Sequence, residues 1–282
     1  MARNCNRFYY ALVTSQDSIA AAVARLSQAL ATRVPCAPVR DLIGTDDLEA
    51  AYAVQQGLVQ ARLAAGATVV GRKIGATSEA VQRQLGVDQP DFGYLLDEMD
   101  VSAGALDGAD PISMRTLVQP RVEGEVAFVL AKDIDPADEA DITIKLVRDA
   151  VEIALPALEI VDSRIADWAI GFTDTVADNA SSGLFVVGRD GRSLDELEPR
   201  DVTMSLTING EERSSGNGAA CLGDPLEALR WLAVQAYRFG DPLRAGHLIL
   251  SGALGPFVPF APGDRVEATI SGFAPLRVQF VE

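Results

Sequence analysis

Two glutamates one residue apart, in Val118-Gln119-Pro120-Arg121-Val122-Glu123-Gly124-Glu125-Val126-Ala127-Phe128-Val129-Leu130, hold the most pointed chemistry in the sequence. The β-branched and apolar run from Val126, entered through a proline and free of helical spacing, predicts a strand. Side chains two apart on a strand share a face, so these carboxylates stand side by side. Such a pair is costly unless the face is wet or a cation lies between them. A solvated sheet edge satisfies the pattern, and so does half of a hard-metal site made of carboxylate oxygens. A second strand-like run, Leu155-Pro156-Ala157-Leu158-Glu159-Ile160-Val161, sets Glu159 among apolar neighbours. A carboxylate there needs a cation or strong hydrogen bonds, since its lone desolvation costs on the order of several kcal/mol. Glu159 is the natural third ligand beside Glu123 and Glu125. Three carboxylates without His or Cys suit Mg2+ or Mn2+.

Other groups could serve such a site. Lys73 closes the apolar, glycine-bracketed run Val69-Val70-Gly71-Arg72-Lys73-Ile74-Gly75. Facing a pocket, it would feel burial lowering its pKa and neighbouring carboxylates raising it; facing water, it would simply snorkel. Asp91 sits in the turn-rich Gly86-Val87-Asp88-Gln89-Pro90-Asp91-Phe92-Gly93-Tyr94, a segment that either turns the chain or positions an acid. Seven of the eleven residues from Thr173 to Gly183 carry hydrogen-bonding side chains, which suits a polar pocket wall or a capped turn equally.

The elements that must position these residues follow from periodicity and turn signals. Helices are expected over 18–33, and from about 50 to 65 with Thr45 as cap and Asp46, Asp47 and Glu49 at the positive end of the dipole. A short helix over 78–85 and a longer one over 141–154 come next, then one over 226–239. Strands are expected at 69–75, 118–130, 155–161, 184–188, 202–208 (turning at Asn209-Gly210), 248–255, 266–270 and 276–281. This divides the chain into an extension (1–17), a helical region (18–67) and a catalytic domain (68–282). Many strands with few, irregularly placed helices imply an α+β fold with a mixed β-rich core, not a doubly wound sheet.

Composition narrows the class. At 282 residues, 48% hydrophobic and 23% charged, the chain is ordinary globular protein, and its net charge of -16 disfavours nucleic acid and anionic membranes as partners. Cys5, Cys36 and Cys221 are odd in number and far apart, as in a cytoplasmic chain with reduced thiols. The most apolar window, 243–262, is broken by Arg244, His247, glycines and prolines, so it cannot span a membrane. The run Phe8-Tyr9-Tyr10-Ala11-Leu12-Val13 is short for a signal peptide and reads as a flexible or packing extension. With His247 as the single histidine, a histidine-rich zinc site is excluded, and His247 itself reads as structural. No P-loop and no strand-linked GxGxxG occurs.

Taken together, Gly71-Arg72-Lys73-Ile74-Gly75-Ala76-Thr77, Leu85-Gly86-Val87-Asp88-Gln89-Pro90-Asp91-Phe92-Gly93, Gln119-Pro120-Arg121-Val122-Glu123-Gly124-Glu125, Pro156-Ala157-Leu158-Glu159, Asp174-Thr175-Val176-Ala177-Asp178-Asn179-Ala180-Ser181 and Gly252-Ala253-Leu254-Gly255 resemble the 2-hydroxypenta-2,4-dienoate (2-keto-4-pentenoate) hydratases of the fumarylacetoacetate hydrolase superfamily. The resemblance runs in order from about residue 18 to the C-terminus. It implies the superfamily's roll-like β core and a hydro-lyase of the meta-cleavage degradation of aromatic compounds. It further implies Mg2+ or Mn2+ on Glu123, Glu125 and Glu159, with Lys73, Asp91 and Ser181 as catalytic groups. Gln89, Tyr94, Asp178, Asn179 and Ser251 would bind an anionic 2-oxo or 2-hydroxy dienoate. Tyr94 stands where a smaller or apolar residue is expected, and could trim or hydrogen-bond the substrate's tail. A homo-oligomer, pentamer or decamer, is implied too, with a downstream aldolase or a sister decarboxylase as protein partners. The alternatives are 4-oxalocrotonate decarboxylase of the same superfamily and a non-catalytic partner subunit. Carbon–carbon bond hydrolases of the superfamily fit less well, because they use a His-Glu dyad and His247 lies in the wrong place.

Overall fold

The computed structural model describes residues 14–106 and 110–282. Ser15 caps α1 (Gln16–Thr32), α2 (Arg40–Ile43) is a single turn, and α3 (Leu48–Ala64) starts at Asp47, whose carboxylate accepts the Ala50 N–H. The cap is therefore Asp47, not Thr45: it directly precedes the first helical residue, where a side-chain oxygen reaches the orphan amides. The first helix also begins inside the expected extension, while the apolar run 8–13 lies outside the described residues.

From there strands dominate. In chain order come β1 (Val69–Gly75), α4 (Glu79–Leu85), β2 (Asp91–Leu96), α5 (Ser102–Leu106), β3 (Ile112–Ser113), β4 (Pro120–Leu130), α6 (Ile144–Ala150), β5 (Val151–Asp162), α7 (Phe172–Ala177) and β6 (Ser182–Val187). They are followed by β7 (Thr203–Ile208), β8 (Glu211–Asn217), α8 (Pro225–Arg238), β9 (Leu248–Ala253), β10 (Val258–Pro259), β11 (Arg265–Ile270) and β12 (Leu276–Val281). One sheet has the order β2-β1-β9-β4-β5-β6 with β10 also paired to β4; the other runs β3-β12-β11-β7-β8. This is an α+β fold of two mixed sheets.

The expected helix over 141–154 is cut short. Thr143 caps α6, but Val151 already pairs with Leu130 and Ile153 with Val129. Two β-branched residues beside a long partner strand gain more from the ladder than from another helical turn.

The first sheet has two unlike faces. On one, Val122, Val126, Phe128, Leu158, Ile160 and Ile249 join Met204 and Leu206 of β7 and Leu229 and Leu232 of α8 in the main core. Burying a side chain such as Phe128 is worth roughly 2–3 kcal/mol, and the second sheet and α8 supply that cover. Gly124 lies on this face, where a Cβ would stand 3.1 Å from Met204 Cγ, so its missing side chain lets β7 close behind β4. The opposite face carries Glu123, Glu125, Glu159 and Lys73. Among the described residues no helix is long and apolar enough to cross a membrane.

Candidate metal and active site

Antiparallel pairing of β4 with β5 sets Glu123 directly opposite Glu159, and Glu125 follows two residues along β4 on the same face. Their ligand oxygens lie within 4.8 Å of one another, and the residues are 5%, 0% and 1% exposed for Glu123, Glu125 and Glu159. A wet sheet edge is thereby ruled out. At that separation each like-charged pair would repel by roughly 3–4 kcal/mol at an effective dielectric of about 20. Burial first, and then the neighbouring carboxylates, push Glu123 up to about 8 and Glu125 well above its ordinary value; burial also raises Glu159, against the pull of Lys73.

Some of this charge is answered within the chain. Gly252 N–H donates to Glu125 Oε2 at 2.8 Å, from a bulge where one extra residue of β9 is inserted against β4. Lys73 Nζ lies 3.2 Å from Glu159 Oε1 as an ion pair outside hydrogen-bond geometry. Glu125 Oε1 and both Glu159 oxygens are left without a hydrogen-bond donor among the described residues. Three carboxylates against one ammonium leave two negative charges, which a divalent ion would balance. The all-oxygen donor set and the orphaned lone pairs fit a hard cation such as Mg2+ or Mn2+.

Lys73 reaches the cluster from β1, its Nζ also donating to Ala180 O at 3.0 Å. Burial works to lower its pKa, but Glu159, Glu123, Asp91 and Glu125 outweigh that and hold it above the ordinary value. Asp91 follows on β2, paired with Gly75, whose hypothetical Cβ would lie 2.2 Å from Asp91 Oδ1 and 3.4 Å from Lys73 Nζ. Glycine at 75 thus opens the space in which acid and ammonium meet. Thr175 Oγ1 donates to Asp91 Oδ2 at 2.8 Å. Burial raises the Asp91 pKa, while Lys73 and Thr175 pull it back.

The carbonyl that holds Lys73 belongs to a strained loop. Asn179, Ala180 and Ser181 have φ of 54°, 52° and 53°, three consecutive non-glycine residues in the left-handed region. Each such residue costs on the order of 1–2 kcal/mol. Strong local bonds impose the geometry. Asp178 accepts Arg164 Nε at 2.5 Å and Arg164 N at 3.0 Å, and Arg164 Nη1 donates to Asp162 O and Ser182 O. Burial pushes Asp178 up to about 6 although Arg164 draws it down. The Asn179 side chain takes both the N–H and the C=O of Tyr94, at 2.8 and 3.0 Å. Gly93 makes room, since a Cβ there would stand 2.4 Å from Asn179 O. The product is a buried Ser181 hydroxyl with no hydrogen-bond partner among the described residues, next to the residue whose carbonyl holds Lys73.

Lys73, Asp91 and the three glutamates are thus brought together, with Ser181 in the loop whose Ala180 carbonyl holds Lys73, while the five expected substrate-binding residues are placed otherwise. Tyr94 pairs with Arg72 and so points to the face opposite Lys73, where Arg72 stacks on its ring at 3.7 Å and its hydroxyl donates to Asp241 at 3.0 Å. Gln89 is exposed on the turn before β2, without a hydrogen bond to the cluster among the described residues. Asp178 and Asn179 spend their polar atoms on Arg164 and on the Tyr94 backbone. Ser251 Oγ donates to Val126 O at 2.7 Å inside the sheet. These last three hold the frame. His247 accepts the Arg244 N–H at Nδ1 in a surface turn, a structural position.

Sequence reasoning gave no role of their own to Thr77 and Thr175, and did not single out Arg164. Thr77 Oγ1 is buried and accepts or donates no hydrogen bond among the described residues, and a Cβ on Gly252 would lie 2.2 Å from it. The glycine at the bulge therefore admits this hydroxyl beside the Glu125 strand. A threonine following the Lys73 strand by two residues was the available signal. Also unremarked was Arg121, two residues before Glu123 on the same face of β4. Its guanidinium lies 4.4 Å from the Trp168 ring centroid and 4.9 Å from that of Phe257, with no carboxylate partner among the described residues. Val81, Val161, Ala253 and Phe257 form an apolar cluster beside it, with Trp168 packed on it.

A mixed two-sheet core with a buried carboxylate triad that could hold a metal ion, and an adjoining lysine, sets the class of site, and comparison with known proteins gives the family. Residues 69–281 match the family model described as fumarylacetoacetate (FAA) hydrolase, C-terminal. The chain belongs to the fumarylacetoacetate hydrolase family. It is 48% identical over 257 residues, covering 91% of this chain and 93% of the relative, to a TodF product hydratase of Pseudomonas putida. It is 50% identical over 255 residues, 90% and 92% of the two chains, to a 2-keto-4-pentenoate hydratase of Paraburkholderia xenovorans. Among solved structures, 4-oxalocrotonate decarboxylase from Pseudomonas putida G7, complexed with magnesium and adipate, superposes with a TM-score of 0.86 at 28% identity, covering 95% of this chain and 98% of that one.

Proposed function

We propose that this protein is a hydro-lyase that adds water to 2-hydroxypenta-2,4-dienoate, or a homologue with a substituted tail, to give 4-hydroxy-2-oxopentanoate or its counterpart in meta-cleavage degradation of aromatic compounds. One observation carries the reading: 50% identity to a 2-keto-4-pentenoate hydratase across 90% of this chain and 92% of that one. The decarboxylase, at 28%, is the more distant relative.

Glu123, Glu125 and Glu159 would hold Mg2+ or Mn2+, which as a Lewis acid supplies charge stabilisation at the substrate's carboxylate and 2-oxygen. The chain's own groups do the rest. Water adds only after the dienol becomes an enone: the 2-hydroxyl gives up its proton and the far carbon, C5, gains one. Water oxygen then bonds C4, and the second proton goes to C3. Lys73, kept charged by four carboxylates, stabilises the negative oxygen at C2 in both steps. Asp91, with its raised pKa and its Thr175 hydrogen bond, is the group that carries protons to carbon and from water. The buried hydroxyls of Ser181 and Thr77 orient the polar atoms that enter. Packing of the 179–181 loop against β1 and β2 keeps bulk water away from Lys73 and Asp91, each only 2% exposed.

The test is direct. With Mg2+ or Mn2+ the protein removes the ultraviolet absorbance of 2-hydroxypenta-2,4-dienoate, and EDTA stops the loss. Carbon dioxide release from 2-oxohex-3-enedioate without hydration of the pentadienoate would instead assign the decarboxylase activity. The same proposal includes a cytoplasmic homo-oligomer, pentamer or decamer, which light scattering and cell fractionation check.

A further inference from the structure

Cys221 takes no part in the chemistry set out above, yet it is fully buried and close enough to the carboxylate cluster for Glu125 and Glu123 to act on its thiol. Its Sγ lies 2.9 Å from Gly252 O and 3.4 Å from Ala253 O, at the bulge where β9 carries an extra residue against β4. Among the described residues no other side chain donates to either carbonyl. The backbone around Cys221 is tied at three points. Asn217 N–H donates to Leu254 O, Cys221 N–H to Gly218 O and Leu222 N–H to Thr77 O, each at 3.0 Å. Residues 217–222 therefore form a strap from the end of β9 to the exit of β1, and Cys221 points its thiol from that strap onto the bulge.

Position 252 needs such a hold. Gly252 has a φ of 110°, and a Cβ there would lie 2.2 Å from Thr77 Oγ1, so the position admits only glycine. Glycine leaves its two flanking peptide planes free to turn, and the bulge removes the regular ladder that would fix them. The plane before Gly252 supplies the N–H that donates to Glu125 Oε2 at 2.8 Å; the plane after it supplies the carbonyl that the thiol takes. Both neighbours are already fixed. Ser251 Oγ donates to Val126 O at 2.7 Å, and Leu254 N–H donates to Gly124 O at 3.0 Å. What remains to be set between them is the rotation at Gly252. Its N–H is the one donor that the Glu125 carboxylate has among the described residues. Turning that plane would bring the Ser251 carbonyl toward the carboxylate, a repulsive contact. Burial, and then the Glu125 charge, push the Cys221 thiol pKa up, so the sulfur keeps the proton it donates.

We propose that Cys221 is a positioning residue of the metal centre: its thiol holds the Gly252 carbonyl, and through that glycine aims the N–H that sets Glu125 for the ion. The inference rests on Glu125 as a ligand of the proposed metal site and is independent of which reaction follows. Groups that orient a metal's ligands without touching the ion are worth about 10- to 100-fold in affinity.

Cys221→Ala and Cys221→Ser are compared with wild type in the full chain by titrating Mn2+ and reading the free ion by electron paramagnetic resonance. Cys221→Ala lowers Mn2+ affinity about tenfold or more, whereas Cys221→Ser, whose hydroxyl donates to the same carbonyl, recovers to within about threefold of wild type. Urea unfolding in EDTA is run beside them, since a group that only packs would lower stability and leave the affinity of the folded protein unchanged. A second reading needs no change at 221. With the other two cysteines replaced (Cys5→Ser, Cys36→Ser), the infrared S–H stretch reports Cys221 alone, and it shifts when Mg2+ is added to the metal-free protein. Wild-type Mn2+ affinity in Cys221→Ala, an equal loss in Cys221→Ser, or an S–H band that ignores Mg2+ overturns the proposal. A wild type that shows this Mn2+ pattern and yet hydrates no dienoate defeats the hydratase reading and leaves the positioning role standing.

Discussion

Lys73 Nζ and Glu159 Oε1 are 3.2 Å apart with side chains only 2% and 1% exposed, so a cation and an anion from strands β1 and β5 meet out of water across two intervening strands. The pair is not a stabilising tie of the usual kind, since burying both charges costs about as much as their attraction returns. Its value lies in holding an ammonium beside a carboxylate cluster. Lys73→Ala should therefore retain Mn2+ while turnover falls on the order of 100-fold or more. Metal titration and steady-state rates separate the two, and a wild-type rate would remove Lys73 from the mechanism.

Glu125 is the member of the triad with no exposed surface, and its Oε1 has no donor among the described residues. Glu125→Gln keeps the shape but takes away one charge and one anionic ligand. Metal affinity and hydration should fall together, each by roughly 100-fold or more, because the ion supplies the charge stabilisation. A variant with normal Mn2+ binding and full activity would sink the ligand assignment.

The acid cluster makes stability depend on pH when the metal is withheld. Burial and its neighbours put Glu123 at about 8, above the ordinary carboxylate value. A group whose folded pKa is raised contributes its stability fully below the unfolded value and loses it as pH rises through the folded value. In EDTA, the melting temperature should drop between about pH 5 and pH 8, at roughly 1.4 kcal/mol per unit of upward shift. Apparent Mn2+ affinity should climb across the same interval, because the ion displaces protons. Calorimetry at several pH values reads both; flat profiles would contradict the coupling.

Thr175 tunes Asp91 by a hydrogen bond that favours the charged form. Thr175→Val removes it without changing volume much, so the acid limb of kcat/KM should shift to higher pH while Mn2+ affinity stays. An unmoved limb would take Asp91 out of the titration that governs rate.

Gly93 lies under the left-handed loop, its hypothetical Cβ 2.4 Å from Asn179 O and 2.9 Å from Ser182 Oγ. Gly93→Ala should destabilise the protein by about 1–3 kcal/mol in urea unfolding, the usual cost of overpacking. It should also lower turnover, since the Ala180 carbonyl that seats Lys73 is displaced. Wild-type values of both would show that the loop has slack.

Much of the site could be read directly from sequence because strand periodicity is local. Glu123 and Glu125 had to share a face, Glu159 had to be answered among its apolar neighbours, and the absence of other histidines pointed to oxygen ligands. The ordered motifs indicated the family. What sequence could not decide is register between distant strands. Tyr94 follows Gly93, the residue level with Lys73, so a single step along β2 turned it to the far face. Whether Asp178 and Asn179 meet substrate or brace a loop depended on Arg164, at the end of the neighbouring strand, and on the Tyr94 backbone, remote in the chain. The insertion of β9 between β1 and β4, which sets the strand of Lys73 two places from that of Glu123 and Glu125, comes from pairing across more than a hundred residues. Side-chain alternation is written in neighbouring residues, whereas strand order and register are set by which non-local ladders bury the most apolar surface.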